Sequence, residues 1–208
     1  MNNKRCVFNG IAVIGVGVLV SFVFSRLIHE WAFIPLALTY WGSILFVTRY
    51  KLKEIRDLFE VNQGSKAIKI LTYVPCLFCI VSFVWGLSVI SIEPLLCVLT
   101  IVFVIVNPIM EELMWRKYMM DHLTYKPVFK IIISTVLFTI SHPLMWGIFS
   151  VTIRSTIMIV PLLVMGIIWG ISYEKLKSIK HCIIAHGIVD LFNLSIWVFL
   201  NLFIPPVV

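Results

Sequence analysis

The chain has 208 residues, of which 61% are hydrophobic and 13% are charged, and its mean hydropathy is +1.04. A water-soluble domain of this size needs far more polar surface, so the composition excludes an ordinary soluble fold. The formal net charge of +7 is compatible with nucleic acid, anionic lipid or a membrane-topology signal, and its distribution along the chain decides among these.

The N-terminal segment begins with Lys4 and Arg5 and continues as a long apolar run. A signal peptide also has a basic start, but its apolar region is about 7–15 residues long and ends at an A-x-A-like cleavage site. This run is longer and lacks such a site. We therefore interpret it as the first membrane span.

Seven apolar stretches are long enough to cross roughly 30 Å of hydrocarbon, which takes about 20 helical residues. Unpaired backbone amides are costly in lipid, so each stretch must be helical there. The sequence predicts an all-α, polytopic transmembrane bundle of about seven helices that forms a single domain over residues 1–208. The approximate spans are 6–28, 31–48, 70–92, 95–115, 128–149, 155–173 and 181–204.

The basic residues are distributed unevenly between the two sides of these seven spans. Only Arg26 and Arg154 fall on one side, and every other Lys and Arg falls on the other. The positive-inside rule places the N-terminus in the cytoplasm and the C-terminus outside. The charge is therefore a topology signal, and we expect no nucleic-acid partner. The basic loop 49–69 either lies on the membrane surface or is solvated.

The five cysteines lie mostly in apolar runs. Cys76 and Cys79 form a C-x-x-C, but no second pair or βαβ context accompanies it. We interpret both as small packing residues.

Ionisable residues at membrane depth are costly and need a partner, a cavity or a function. Glu111, Glu112 and Arg116 close one apolar run. Glu112 and Arg116 are four residues apart, so they share a helix face and are predicted to pair. Glu111 points about 100° away and is free to face something else.

Two histidines lie in other apolar runs. His142 follows Phe138 by one helical turn, and His186, Asp190 and Asn193 form a polar stripe on one helix. Each histidine alone is also explained by a buried hydrogen bond to a carbonyl or by polar packing between helices. Together with a free carboxylate on a third helix, they indicate a reaction site.

Other features are interpreted without a catalytic role. Gly166 and Gly170 form a G-x-x-x-G pattern that allows helices to approach closely. Loop or interfacial positions are expected for His29, Glu30, Glu93, Asp121, His122 and His181.

These motifs resemble the CPBP family, the CAAX protease and bacteriocin-processing proteins, also known as Abi-type membrane proteases. Glu111, Glu112 and Arg116 match E-E-x-x-x-R, Phe138 and His142 match F-x-x-x-H, and His186 with Asp190 matches the last motif. The resemblance covers about 110–193. It implies N-terminal helices in 1–92 and a catalytic core in 93–204. Asp190 departs from the best-known members, which carry Asn there.

The resemblance implies an intramembrane endopeptidase in which Glu111 is the general base for a water held by His142 and His186. Glu112 and Arg116 would fix the helix end, and Asp190 completes the expected site. We expect no metal, although Glu111, His142 and His186 are also a possible zinc ligand set. H-E-x-x-H is absent from the sequence.

The expected partners are the lipid bilayer and a peptide or membrane-protein substrate, and the expected location is a bacterial cell membrane. We expect the site to open toward the cytoplasmic half of the bundle. The alternative function is a non-catalytic transporter or immunity protein that uses the same buried residues as an ion or proton relay. The sequence lacks the paired broken helices that are typical of transporters.

Overall fold

The computed structural model describes residues 2–50, 64–86, 93–148 and 151–201, and all regular elements in these ranges are helical. Many large apolar side chains lie on the outside, among them Phe46 (74% exposed) and Ile157 (79% exposed). An apolar exterior of this extent suits lipid rather than water. The predicted all-α membrane bundle is confirmed.

The N-terminal part contains two long helices that are joined by a short 3-10 turn. Helix α1 is Asn3–Ile28, the turn is His29–Ala32 and helix α2 is Phe33–Thr48. The Asn2 side chain accepts a hydrogen bond from the Lys4 backbone N–H at 3.0 Å, which caps α1. The sequence predicts a loop at His29 and Glu30, and the structure has one turn of 3-10 helix there.

Four helical stretches in the described residues are long and apolar enough to cross a membrane: Asn3–Thr48, Pro94–His122, Pro127–Met145 and Thr156–Leu176. Asn3–Thr48 contains both of the first two predicted spans. The predicted span 70–92 instead begins as helices α3 (Lys66–Thr72) and α4 (Val74–Gly86), and 87–92 lies outside the described residues. The number of crossings therefore stays a prediction, and most of loop 49–69 also lies outside these residues.

Residues 94–122 form one continuous rod that changes its helical type at the glutamates. Helix α5 (Pro94–Glu111) passes into a π-helix (Glu112–Tyr118) and then into α6 (Met119–His122). Pro94 at the first turn suits a helix start because it has no N–H to leave unpaired. A π-helix is rare and is often found at functional sites.

Two side chains from the next helix bind backbone carbonyls of this rod. Helix α7 is Pro127–Met145, and its Ser134 hydroxyl donates to the Trp115 carbonyl. Lys130 Nζ donates to the Met120 carbonyl at 3.0 Å. These bonds hold α7 against the irregular part of the rod.

The G-x-x-x-G pattern lies on helix α9 (Thr156–Leu176), which follows the short α8 (Val151–Arg154) and packs against α7. A Cβ added at Gly166 would lie 2.6 Å from Thr135 Cγ2, and one at Gly170 would lie 3.0 Å from Ile131 Cγ2. Real Cβ atoms essentially never approach to 2.6 Å, and 3.0 Å is tighter than nine in ten of their contacts. The close helix approach predicted from the glycines is present.

The last predicted span is divided into helices α10 (Lys180–Phe192) and α11 (Ser195–Asn201). Between them, Leu194 has a left-handed backbone conformation (φ 53°). Helix α10 packs against α5. Gly187 lies next to the Val104 carbonyl, 3.2 Å from where its Cβ would be. In a regular helix the Val104 carbonyl would accept from the N–H of residue 108, but Pro108 has none. Gly187 on α10 therefore packs at the point where α5 lacks one hydrogen bond.

The predicted loop position of Asp121 and His122 is wrong, because both residues belong to α6. Asp121 accepts from Lys117 Nζ at 2.5 Å and from the Tyr173 hydroxyl at 2.7 Å. Polar side chains that satisfy one another favour continuation of the helix at this end of the bundle. Neither residue lies with the glutamate and histidine side chains described next.

Candidate active site

The Glu111 carboxylate lies in the interior of the bundle between two histidines. Its Oε2 is 3.9 Å from His142 Nε2 and 3.7 Å from His186 Nε2. Glu111 is completely buried, and neither of its oxygens has a hydrogen-bond partner among the described residues. A buried carboxylate without a partner is expensive. Three helices therefore bring an acceptor and two imidazoles to one point.

The other ring nitrogen of each histidine fixes the tautomer. His142 Nδ1 lies 2.8 Å from the Phe138 carbonyl, and His186 Nδ1 lies 2.9 Å from Glu112 Oε1. A carbonyl and a carboxylate only accept, so each Nδ1 carries the hydrogen in these bonds. In the neutral rings, both Nε2 lone pairs then face Glu111.

Glu112 has two partners rather than the one expected from the sequence. Its Oε2 lies 3.2 Å from Arg116 Nε, as the four-residue spacing predicts, and its Oε1 binds His186. Glu112 and Arg116 are both buried. The pair therefore braces the rod and also orients His186.

Two aromatic rings enclose the Arg116 guanidinium and His186. The guanidinium carbon lies 4.3 Å from the Phe138 ring centroid and 5.3 Å from that of Trp169. The Trp169 ring also stacks on His186 at 4.7 Å between centroids. Ring faces attract cations and exclude water, so they strengthen the charged contacts beneath them.

Asp190 lies on the same side of α10 as His186 and is bound by an amide from α5. Asn107 Nδ2 donates to Asp190 Oδ2 at 3.2 Å, and Trp41 Nε1 donates to Asn107 Oδ1 at 3.2 Å. Asp190 Oδ1 lies 3.8 Å from His186 Nε2. The polar network of the site therefore extends to α2.

The side chains of this site contain oxygen and nitrogen donors that metals use. Within the described residues, however, no group of three or more His, Cys, Asp or Glu side chains has an arrangement that could hold a metal ion. The expectation of a metal-free site remains a prediction.

The family comparison indicates the class of protein to which this geometry belongs. A model of the Rce1-like family, described as type II CAAX prenyl endopeptidase, matches residues 93–192. Residues 93–192 belong to this family. Comparisons with curated proteins and with solved structures gave no match.

The Rce1-like family consists of peptide hydrolases, so the predicted family and enzyme class are confirmed. The matched segment contains all six residues that the sequence proposed for the site. The structure brings these six side chains into one connected group: Glu111, Glu112, Arg116, His142, His186 and Asp190.

Asn193 of the predicted stripe, His181 and the two cysteines of the C-x-x-C lie apart from this group. Asn193 follows the end of α10 and lies beside Cys79. His181 Nδ1 and the Tyr73 hydroxyl are 3.0 Å apart. Cys76 and Cys79 are buried free thiols, as the packing interpretation predicts.

The sequence did not identify three polar residues that contact the site. Tyr40 accepts from Trp115 Nε1 at 3.1 Å and its hydroxyl lies beside Glu111. Asn107 donates to Asp190, and Trp41 donates to Asn107. Tyr40 and Trp41 both lie on α2, outside the segment that the family resemblance covers. The one available signal was Asn107, an amide in the middle of an apolar run, four residues before Glu111.

Proposed function

We propose that the chain is an intramembrane endopeptidase in which Glu111 activates a water molecule for attack on a peptide bond. The observation that carries the proposal is the buried Glu111 carboxylate, which has no hydrogen-bond partner in the part of the chain that the structure describes and faces the Nε2 atoms of His142 and His186. A fixed acceptor in a dry site is well suited to remove a proton from water.

The reaction is a general-base hydrolysis. A water hydrogen-bonded to Glu111 and a histidine attacks the carbonyl carbon, its proton passes to Glu111, and the C=O electron pair moves onto the oxygen. When this pair returns, the C–N bond breaks and Glu111 gives its proton to the leaving nitrogen. One hydrogen of the water is donated to Glu111 and the other to the Nε2 lone pair of His142 or His186, so a histidine orients the water. No metal is used in this scheme.

The proposed substrate is the C-terminal segment of a prenylated membrane-associated peptide, as the description of the matching family suggests. An apolar groove of about 380 Å³ supports an apolar substrate tail. It lies between α5 and α10, the helices that carry Glu111 and His186. Its lining includes Val104, Ile105, Ile109, Ile183 and Ile184.

The test uses the purified full chain in lipid vesicles with a panel of farnesylated peptides that carry a fluorophore and a quencher. Glu111→Gln keeps the shape of the side chain but removes the base, so we expect cleavage to fall by at least about 10²-fold. The control is Glu174→Gln on the surface pair with Lys177. Cleavage at the wild-type rate by Glu111→Gln would contradict the proposal.

A chelator distinguishes this mechanism from metal catalysis. We expect wild-type cleavage to be unchanged after incubation with a strong chelator and buffer exchange. Loss of activity that returns when zinc is added would show that Glu111, His142 and His186 act as ligands. Activity of the chelated protein together with an inactive Glu111→Gln would support the glutamate as base.

A further inference from the structure

Asn107 and Asp190 form a second polar contact beside the one between Glu111 and His186. Asn107 and Glu111 are four residues apart on α5, and His186 and Asp190 are four apart on α10. Residues four apart share a helix face. Asn107 Nδ2 lies 3.2 Å from Asp190 Oδ2, and Glu111 Oε2 lies 3.7 Å from His186 Nε2. The two contacts are thus about one turn, ~5.4 Å, apart.

The neighbours of Asn107 allow only one orientation of its amide. The Trp41 indole N–H can only donate, so it requires the Asn107 oxygen on its side. The Asp190 carboxylate accepts, so it requires the amide nitrogen on the other side. Both requirements select the same rotamer. The amide is therefore held from two helices.

This orientation leaves one amide hydrogen available. The Asn107 nitrogen has two hydrogens, and Asp190 is its one hydrogen-bond partner among the described residues. Asn107 is buried, with 3% of its surface exposed. An ionised Asp190 has no hydrogen to donate. The second amide hydrogen of Asn107 is then available to a developing oxyanion on the Asp190 side of Glu111.

We propose that Asn107 is a catalytic residue that donates its second amide hydrogen to the carbonyl oxygen of the scissile bond, and that Trp41 and Asp190 hold it in position. The inference rests on the proposed hydrolysis at Glu111. As the water oxygen bonds to the carbonyl carbon, the C=O pair moves onto the oxygen that Asn107 contacts. No proton is transferred from Asn107. A preorganised donor at this point acts mainly on the transition state.

The first experiment measures kcat and KM of Asn107→Ala with the farnesylated peptide panel in vesicles. Removal of one oxyanion donor costs about 10²–10³-fold in kcat, with KM little changed. Glu111→Gln is assayed in parallel. If Glu111→Gln is inactive but Asn107→Ala is within threefold of wild type, this inference is overturned and the proposed function stands. Wild-type protein that cleaves no peptide would overturn both.

The second experiment tests the orientation of the amide and does not depend on Asn107→Ala folding. In Trp41→Phe, Asp190 alone still fixes the orientation of the Asn107 amide. In Asp190→Asn, Trp41 alone fixes it, because an Asn side chain at 190 can either accept or donate. We expect each single variant to lose no more than about tenfold in kcat. The double variant loses both constraints, so its loss should exceed the product of the two single losses.

Additive losses would show that Trp41 contributes packing alone, and this would overturn the proposed orientation of Asn107. The thermal unfolding midpoint of each variant is measured alongside. A structural role predicts that kcat follows stability, whereas the proposed role predicts a kcat loss in the double variant at an unfolding midpoint close to those of the single variants.

Discussion

Glu112 Oε1 lies 2.9 Å from His186 Nδ1 while its second oxygen lies 3.2 Å from Arg116 Nε. One buried carboxylate therefore sets the tautomer of a histidine on α10 and neutralises a guanidinium one turn further along its own helix. The effect of removing its charge should be seen in both stability and turnover.

Glu112→Gln should destabilise the protein by about 3–5 kcal/mol, because it leaves Arg116 buried without its counter-charge. Turnover should also fall, since a neutral amide holds the His186 ring less firmly than a carboxylate does. Chemical denaturation in detergent and the peptide assay measure the two effects. Glu174→Gln, on the pair between half-buried Glu174 and exposed Lys177, should cost less than about 1 kcal/mol. Equal stability of the two variants would contradict the buried ion pair.

Gly166→Ala should destabilise the protein by about 1–3 kcal/mol, because the new Cβ would lie 2.6 Å from Thr135 Cγ2. Gly42→Ala is the matched control, since a Cβ there meets nothing within 4 Å. Thermal unfolding of the two variants is the measurement. Adding Thr135→Ala should recover part of the loss. No difference between the glycine variants would mean that α7 and α9 are farther apart.

Ile105→Trp should raise KM for a farnesylated peptide several-fold, because Ile105 lines the apolar groove beside the site. Ile101→Trp, one turn earlier on α5 and also exposed, lies outside the residues that line the groove. Steady-state kinetics with peptides of different prenyl length would show the effect. An equal rise in both variants would indicate a general disturbance of α5.

Single cysteines introduced into a cysteine-free variant test the predicted orientation. Thr124 and Lys177 should be labelled from the cytoplasmic side, and Thr156 from the outside. The backbone N–H of Thr124 lies 2.8 Å from Asn3 Oδ1. The segment around Thr124 and the N-terminal segment therefore lie at the same end of the bundle. Impermeant maleimide with intact and opened cells is the assay. Labelling of Thr124 and Thr156 from one side would reject the orientation.

The sequence predicted those parts of the fold and site that depend on local spacing. A four-residue separation placed Glu112 against Arg116, and the apolar runs predicted the helices because lipid leaves the backbone no other choice. The two glycines predicted a close helix contact for a similar reason. Each of these inferences needs only one helix and its period.

The other contacts of the site depend on which helices are neighbours, and the hydrophobic periodicity of one helix does not indicate this. Trp41 and Asn107 are 66 positions apart, so their contact could not be read from spacing. The division of the last predicted span near Leu194 also has no clear signal in an apolar run. The sequence predicts a loop or interfacial position for Asp121, whereas Tyr173, which is distant in sequence on α9, completes its hydrogen bonding within a helix.

The π-helix Glu112–Tyr118 has a consequence for how this chain tolerates insertions and deletions. A wide turn contains one more residue than the α-helical turn it replaces. Removing a single residue between Glu112 and Tyr118 would therefore give an ordinary α-helix and leave Tyr118 and α6 near their present orientation, with the contacts to Asn9 and Lys130 retained. Removing a residue from the regular part of α5 would instead rotate everything that follows by about 100°. The wide turn is therefore the part of this rod that best tolerates the loss of one residue.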